Sequence, residues 1–262
     1  MTKTTATMIT PDSDSASSPL ALPSLPSLPS LQTRELSFRW QSRQPALTFP
    51  DITLNAGDHL FLRGASGSGK STLLGLLAGL NTADSGEIRL LGKSIGSLAP
   101  SARDRFRADH IGVIFQQFNL VPYLTALANV TLPCQLSRAR RDRIGSDASH
   151  SDTQAAIYAK ATTLLTELSI PQELHSRKPA QLSIGQQQRV AAARALMGAP
   201  ELILADEPTS ALDSNNRDRF MQLLLEMAHQ NRTSVVFVSH DPALAHHFHH
   251  QIELEQPSWL SS

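Results

Sequence analysis

The chain has 262 residues, 40% hydrophobic and 18% charged, which is enough apolar material to bury a core in one large domain or two small ones. Lys+Arg and Asp+Glu number 23 each, so net charge gives no sign of a nucleic-acid partner. The single cysteine, Cys134, excludes an intramolecular disulfide, fits a reducing compartment and reads as a small buried hydrophobe.

Residues 1–31 read as a disordered Ser/Pro-rich tail. They open on the polar run MTKTTATMITPDSDSASS, which lacks the apolar stretch of a secretory signal. They end on LPSLPSLPSL, where proline at every third position favours an extended chain with no packed core. No run approaches the roughly 18 apolar residues that a membrane span needs. The expectation is a chain that neither crosses a membrane nor is exported, so any work at a membrane needs another molecule to hold it there.

From Gln32 the pattern changes. Residues 35–40 and 46–49 alternate like strands of a half-buried sheet, and 52–54 repeat this before the turn Asn55-Ala56-Gly57. Residues 59–63 (HLFLR) form a short buried strand that enters GASGSGKST, residues 64–72, and a helix continues over 72–78. Strand, glycine-rich loop and helix in that order satisfy G-x-x-x-x-G-K-[ST] at every fixed position. Gly64, Gly67 and Gly69 let the backbone wrap a polyphosphate with its N–H groups inward, and Ala65, Ser66, Ser68 and Thr72 complete the loop. Lys70 reaches the β- and γ-phosphates, and Ser71 offers a hydroxyl to Mg²⁺.

Gln116 follows a strand (VIFQ) and could touch Mg²⁺ or water; it could equally be a plain polar residue at a strand end. Residues 100–178 read as mostly helical and polar. The basic run from Arg138 to Arg143 reads as a solvated helix face, and DSASHSD after it as an exposed loop. LSIGQQQR, residues 182–189, reads as a turn leading into a helix over 186–196, a second place where free N–H groups could meet an anion. The apolar runs at 202–205 and 235–238 are of parallel-strand type, with a helix around 220–228 between them. The first ends in Asp206, placed to hold Mg²⁺ through water, and Glu207, placed to accept a proton from an attacking water. The second ends in His240, at the strand end where open parallel sheets bind ligands. The run HHFHH, residues 246–250, has spacing that could hold Zn²⁺ or Ni²⁺, but an ordinary polar helix before a last strand at 251–254 is the preferred reading. So short a C-terminus is expected to leave no room for a regulatory domain.

These motifs in this order resemble the ATP-binding-cassette (ABC) ATPase family over residues 32 to about 255. The match comprises Walker A (64–72), the Q-loop (Gln116), the signature (182–186), Walker B (202–207), the D-loop (210–213) and the switch histidine (His240). The resemblance implies an α/β fold, with a RecA-like phosphate-binding-loop core, an N-terminal antiparallel β subdomain and a helical signature subdomain at about residues 100–185, all within one domain at 32–262. It implies ATP and Mg²⁺ as cofactors, with Ser71, Gln116 and Asp206 toward the metal and Glu207, His240 and Lys70 toward hydrolysis. It implies a head-to-tail dimer, in which Ser183, Gly185 and Gln186 of one copy cap the ATP in the other copy's Walker A and Asp213 couples the two sites. Two half-sites in one chain then mean two chains. Trp40 matches the aromatic that stacks on adenine, or else it is a strand-edge core residue.

Within the family, FQQFNLVPYLTALANV at 115–130 looks like the lipoprotein-releasing and macrolide-export subgroup. That implies an ATP-hydrolysing subunit, cytoplasmic and peripheral on the inner face of the membrane, powering a separate integral permease. A soluble ABC ATPase acting on nucleic acid or ribosomes is disfavoured by neutral charge, a single cassette and no heptad insertion. A tether that binds ATP without turning it over is disfavoured by intact Asp206, Glu207 and His240.

One position departs from the family pattern. Ile184 stands where the signature LSGGQ has its first glycine, and a β-branched residue resists positive φ. Either the backbone there is ordinary or the loop shifts. Replacing Ile184 with glycine is expected to change the ATPase rate by less than about tenfold, about 1.4 kcal/mol of barrier; steady-state phosphate release measures it, and a hundredfold change would show a specially tuned loop. Removing residues 1–31 is expected to leave activity unchanged.

Overall fold

A computed structural model of the chain describes residues 28–41, 43–145, 150–210 and 212–255. Most of the tail, 1–27, and residues 146–149 of the polar loop lie outside the described residues. In chain order the elements begin β1 (Leu31–Phe38), β2 (Leu47–Thr48), β3 (Thr53–Leu54), β4 (His59–Gly64), α1 (Lys70–Leu77), β5 (Ser85–Leu90) and β6 (Lys93–Ser94). Next come α2 (Pro100–His110), β7 (Ile111–Ile114), α3 (Ala126–Leu136), α4 (Arg138–Gly145), α5 (His150–Glu167) and α6 (Ile184–Leu196). The chain closes with β8 (Leu202–Asp206), α7 (Ser214–Gln230), β9 (Ser234–Ser239) and β10 (His250–Leu254).

The central sheet has the order β10-β4-β9-β8-β7, with every neighbouring pair parallel. Its inner strands read as continuous apolar runs because both faces are covered. Alternate residues then serve opposite faces, as the pleat requires. Leu60, Leu62, Leu202, Leu204, Val236 and Val238 join α1 and the antiparallel strands in one core. Phe61, Ile203, Ala205, Val235 and Phe237 join α3, α5, α6 and α7 in the other. Burying a side chain of this size stabilises the fold by about 1.5–3 kcal/mol, so the sheet is held from both sides.

The second sheet is antiparallel, with β1 at its centre pairing β2, β3 and β5. It starts earlier than the composition suggests. Leu31, at the end of the tripeptide repeat, is fully buried as the first residue of β1. Ser30 beside it is 1% exposed; its hydroxyl donates to Leu54 O at 3.0 Å and lies 2.8 Å from Ser234 Oγ at the start of β9. The start of the fold is therefore set by what the second sheet and β9 offer to Ser30 and Leu31.

The span 100–185 is not all helical subdomain. β7 falls inside it and pairs with β8 in the central sheet. The helical block proper is α3, α4 and α5, and Asn129, fully buried on α3, ties down the loop before it by bonding Val121 N, Val121 O, Leu124 O and Thr125 O. Cys134 is buried on the same helix, and burial pushes its thiol up to about 11, so it packs as an inert hydrophobe as expected.

The basic run is the clearest correction. Arg138 is exposed, but Arg140 is 2% exposed and its guanidinium donates to Ala108 O, Met197 O and Ile111 O at 2.7, 2.8 and 2.6 Å. Those carbonyls lie near the end of α2, just past α6 and at the start of β7. Burial pulls the Arg140 pKa down to about 10, which still leaves it charged at neutral pH. Arg143 pairs with Glu201 at 2.8 Å. Part of the run is therefore a clamp between α4 and the central sheet rather than a solvated face.

Among the described residues no helix is long and apolar enough to cross a membrane. A chain cut after residue 27 is expected to melt at the parent temperature. A cut after residue 31 removes a buried leucine and a buried hydroxyl and is expected to destabilise by about 3 kcal/mol or more. Thermal denaturation of the two truncations separates these outcomes, and it replaces the expectation that all of 1–31 is dispensable.

Candidate functional site

Because the central strands are parallel, four of them deliver their C-terminal ends to one edge of the sheet. β4 ends at Gly64, β8 at Asp206 with Glu207 after it, and β9 at Ser239 with His240 after it, while β7 is followed by Gln116. A cavity of about 700 Å³ opens there, lined by Ser66, Gly67, Gly69, Lys70, Ser71, Thr72, Gln116, Asp206, Glu207 and His240, with Trp40 and Leu47 at its side.

The loop from Gly64 to α1 is shaped by its glycines. A Cβ on Gly64 would lie 2.5 Å from Ser68 Oγ and 2.7 Å from Leu254 O, so only glycine lets β10 pack against the loop. Gly69 caps α1 at φ +91, a left-handed conformation that leaves the cap without a side-chain acceptor. The first N–H groups of α1 are thus free to bind an anion. Lys70 is 8% exposed and gives two hydrogen bonds, to Gly64 O at 2.8 Å and Ala65 O at 3.0 Å, leaving one of its three donors for a phosphate oxygen.

Beside Lys70 the Ser71 hydroxyl faces the Asp206 carboxylate across the cavity floor's polar lining. Burial pushes the Asp206 carboxyl up from its usual range; Ser71 opposes this, the neighbouring Glu207 charge adds to it, and Lys70 opposes it. A carboxylate so placed gains from a divalent cation, and Ser71, Asp206 and the Gln116 amide offer the oxygen donors that Mg²⁺ takes. Glu207 sits at φ +43, which a glutamate adopts only under constraint, with its N–H held by Val238 O at 2.9 Å. Its carboxylate meets His240 Nδ1 at 3.0 Å. Trp40 is 62% exposed and stands edge-on to Phe38 with ring centroids 5.1 Å apart, so it is a surface face at the cavity mouth and not the core residue that was its alternative reading.

The other residues singled out in the sequence are not in this cavity. Ser183 caps α6, accepting from Gln186 N at 3.3 Å while Gln186 Oε1 accepts from Ser183 N at 2.9 Å. This reciprocal box is written in the sequence as S-x-x-Q, and it starts the helix at Ile184, two residues before the expected Gln186. Ile184 is therefore the first residue of a right-handed helix, and it is not among the positive-φ residues. Of the two alternatives for that position, the ordinary backbone holds. Asp213 caps α7 by accepting from Asn216 N at 3.0 Å, and those Asn216 bonds hold its carboxyl below the usual range; its neighbour Ala211 lies outside the described residues.

Three contributions had no usable signal in the sequence. Leu47 lines the cavity from β2. Arg217 on α7 pairs with Asp241, next to His240. Arg194 on α6 donates to Asn119 O and Phe118 O, both at 2.7 Å, and so ties the signature helix to the segment just after Gln116.

The sequence profile described as ABC transporter matches residues 47–210. YbbA of Escherichia coli K12, described as an uncharacterized ABC transporter ATP-binding protein, is 41% identical over 199 residues, 76% of this chain and 81% of that protein. The macrolide export ATP-binding/permease protein MacB of Pectobacterium atrosepticum is 40% identical over 204 residues, 78% of this chain and 29% of MacB. Among solved structures, the ATP-binding cassette MJ0796, in a dimeric post-hydrolysis state bound to ADP and Pi, matches with a TM-score of 0.73 at 34% identity over 86% of this chain and 94% of that one. The likeness to cbiO1 of Clostridium perfringens, at 22% identity and a TM-score of 0.72, bears on the fold alone. With a profile covering more than half of its length and relatives at this identity, the chain belongs to the ABC transporter family and is an ATP-binding, ATP-hydrolysing cassette.

Proposed function

We propose that two copies of this chain close head to tail around two ATP molecules and drive a separate integral membrane permease of the macrolide-export or lipoprotein-releasing kind. The observation that carries the reading is the division of the motifs. One cavity collects Lys70, Ser71, Gln116, Asp206, Glu207 and His240, while the signature lies outside it. Gly185 in that signature has an unstrained φ, and an added Cβ would make only an ordinary 3.4 Å contact with Leu212. Its own fold does not demand a glycine there. A phosphate approaching from a second copy does, because it needs the bare backbone. The dimeric state of MJ0796 supports such pairing.

The reaction follows from the cavity's residues. The loop N–H groups and Lys70 hold the β- and γ-phosphates, with Trp40 against the adenine. Ser71, Gln116 and Asp206 would hold Mg²⁺, which supplies positive charge to the phosphate oxygens when bound. Glu207 takes a proton from a water whose oxygen attacks the γ-phosphorus, the bond to the β–γ bridging oxygen breaks, and ADP and phosphate result. His240, 3.0 Å from Glu207, holds that carboxylate in place and can meet the γ-phosphate. Ser183, Gly185 and Gln186 of the second copy complete the cage, and Asp213 lies between the copies.

Beside Gln116 an apolar groove runs over Leu80, Phe115, Leu132 and Leu136, with Leu80 and Leu136 exposed by 55% and 72%. It suits a short helix of the permease, whose movement would reach the cavity through Gln116. In this reading the chain works in the cytoplasm against the inner face of the membrane, and nucleic acid has no part in it. YbbA, an ATP-binding protein of comparable length, supports a permease carried on another polypeptide.

Changing Glu207 to Gln is expected to lower ATP turnover by about 10²–10⁴-fold while ATP still binds. Purified from detergent-extracted host membranes in Mg-ATP, that variant is expected to bring a multi-span protein with it. Recovery in the soluble fraction with ribosomal proteins or nucleic acid would overturn the transporter reading. Changing Gly185 to Ala is expected to leave the melting temperature unchanged, because the Cβ fits, yet to abolish the ATP-dependent dimer of the Glu207→Gln form in size-exclusion chromatography. An intact dimer there would sink the head-to-tail arrangement.

A further inference from the structure

The run HHFHH does not act as a unit. His250 starts β10 and its Nε2 faces Asp58 at 3.6 Å, away from the others. His246 and His247 end a short 3₁₀ helix, Pro242–His247, that follows the switch histidine. Their rings lie together, with centroids 3.9 Å apart, and they meet Asp218, which projects from α7. One potential ligand atom from each of the three falls within 4.8 Å of the other two.

We infer that Asp218, His246 and His247 form a binding site for a divalent transition-metal ion of the Zn²⁺ class, stapling α7 to the segment after His240. Three features beyond proximity favour it. The donor set, two imidazoles and one carboxylate, is one that Zn²⁺ takes with a water as fourth ligand. His246 Nδ1 lies 2.6 Å from Ala243 O, so that nitrogen carries the proton and Nε2 is left with its lone pair; ligating histidines are oriented in this way by a carbonyl behind them. His247 Nε2 is buried with no hydrogen-bond partner, although Asp218 Oδ1 is 3.6 Å away. That distance is too long for a hydrogen bond but close to the roughly 3.4 Å that separates neighbouring donors around a tetrahedral Zn²⁺. His246 and Asp218 are exposed, so the remaining donors can close in by rotating side chains rather than moving backbone.

The site's place gives it a consequence. α7 is capped by Asp213, and Arg217, one residue before Asp218, already pairs with Asp241. A bound ion would add a second tie, from the next residue of α7 to histidines five and six residues beyond Asp241, between the helix that starts at the D-loop and the segment that carries His240. Walker-site chemistry is not needed for it.

The test uses the untagged full chain, stripped with a chelator and held in saturating Mg-ADP so that the nucleotide cavity is occupied. Zn²⁺ is titrated against a chromophoric chelator, and melting is followed with and without the ion. The expectation is one Zn²⁺ per chain and a rise in melting temperature. The Asp218→Asn variant and the His246→Ala/His247→Ala variant are each expected to weaken binding by at least about tenfold. The His249→Ala/His250→Ala variant is expected to bind as the parent does. Since Asp218→Asn changes one exposed carboxylate, it tests the site without risk to the fold. Parent-like Zn²⁺ binding in Asp218→Asn or in His246→Ala/His247→Ala, or no binding by the parent, overturns the site, whatever the ATPase and dimer experiments show.

Discussion

In a parallel sheet all strands point the same way, so whatever follows each strand is brought to a common edge. Here β4, β7, β8 and β9 bring the phosphate loop, Gln116, the Asp206–Glu207 pair and His240 to one cavity. Residues as far apart in the chain as Gly64 and His240 become neighbours without any long side chain having to reach. The condition is that the strands stay in register, and the two cores enforce it. A slip of one residue would turn Phe61, Ile203, Val235 and Phe237 toward the wrong face. The chemistry therefore rests on alternating apolar side chains that never touch nucleotide.

The same edge explains where strain and charge are tolerated. Glu207 keeps a positive φ because β8 ends there and its N–H is still bonded to Val238 O in the next strand. The turn aims its carboxylate at His240 instead of continuing the strand. Asp206, half buried beside a like charge, is tolerated because Ser71 and Lys70 face it. Each group is unfavourable alone and acceptable in the set, as expected of a site organised for a charged ligand.

Further from the edge, arginines join the helical block to this sheet through backbone carbonyls. Arg140 reads three carbonyls from three elements, and Arg194 links the signature helix to the segment after Gln116. Carbonyl partners fix position without adding a counter-charge, so a shift of α4 would leave the buried Arg140 donors unpaired at a cost of about 1–3 kcal/mol each. The segment after Gln116 and the signature helix are held to each other by the two Arg194 bonds.

Features set by neighbours in the chain were legible from the sequence alone. The phosphate loop depends on glycines and a following helix, the strand-end acids and histidine on apolar runs before them, and the parallel-strand character of β8 and β9 on unbroken hydrophobicity. Even the capping box at Ser183 and Gln186 is local, and was there to be read. The tertiary structure alone decided what distant partners determine. Ser30 and Leu31 share the composition of the tail but are buried because Leu54 and Ser234 lie beside them. Arg140 looks like its exposed neighbour Arg138, yet three carbonyls from elsewhere in the chain take it in. In the histidine run, spacing could not tell which rings would meet a carboxylate, because Asp218 comes from another helix. Backbone preference and strand pattern are local properties of a chain, whereas burial and pairing belong to whichever surfaces the fold brings together.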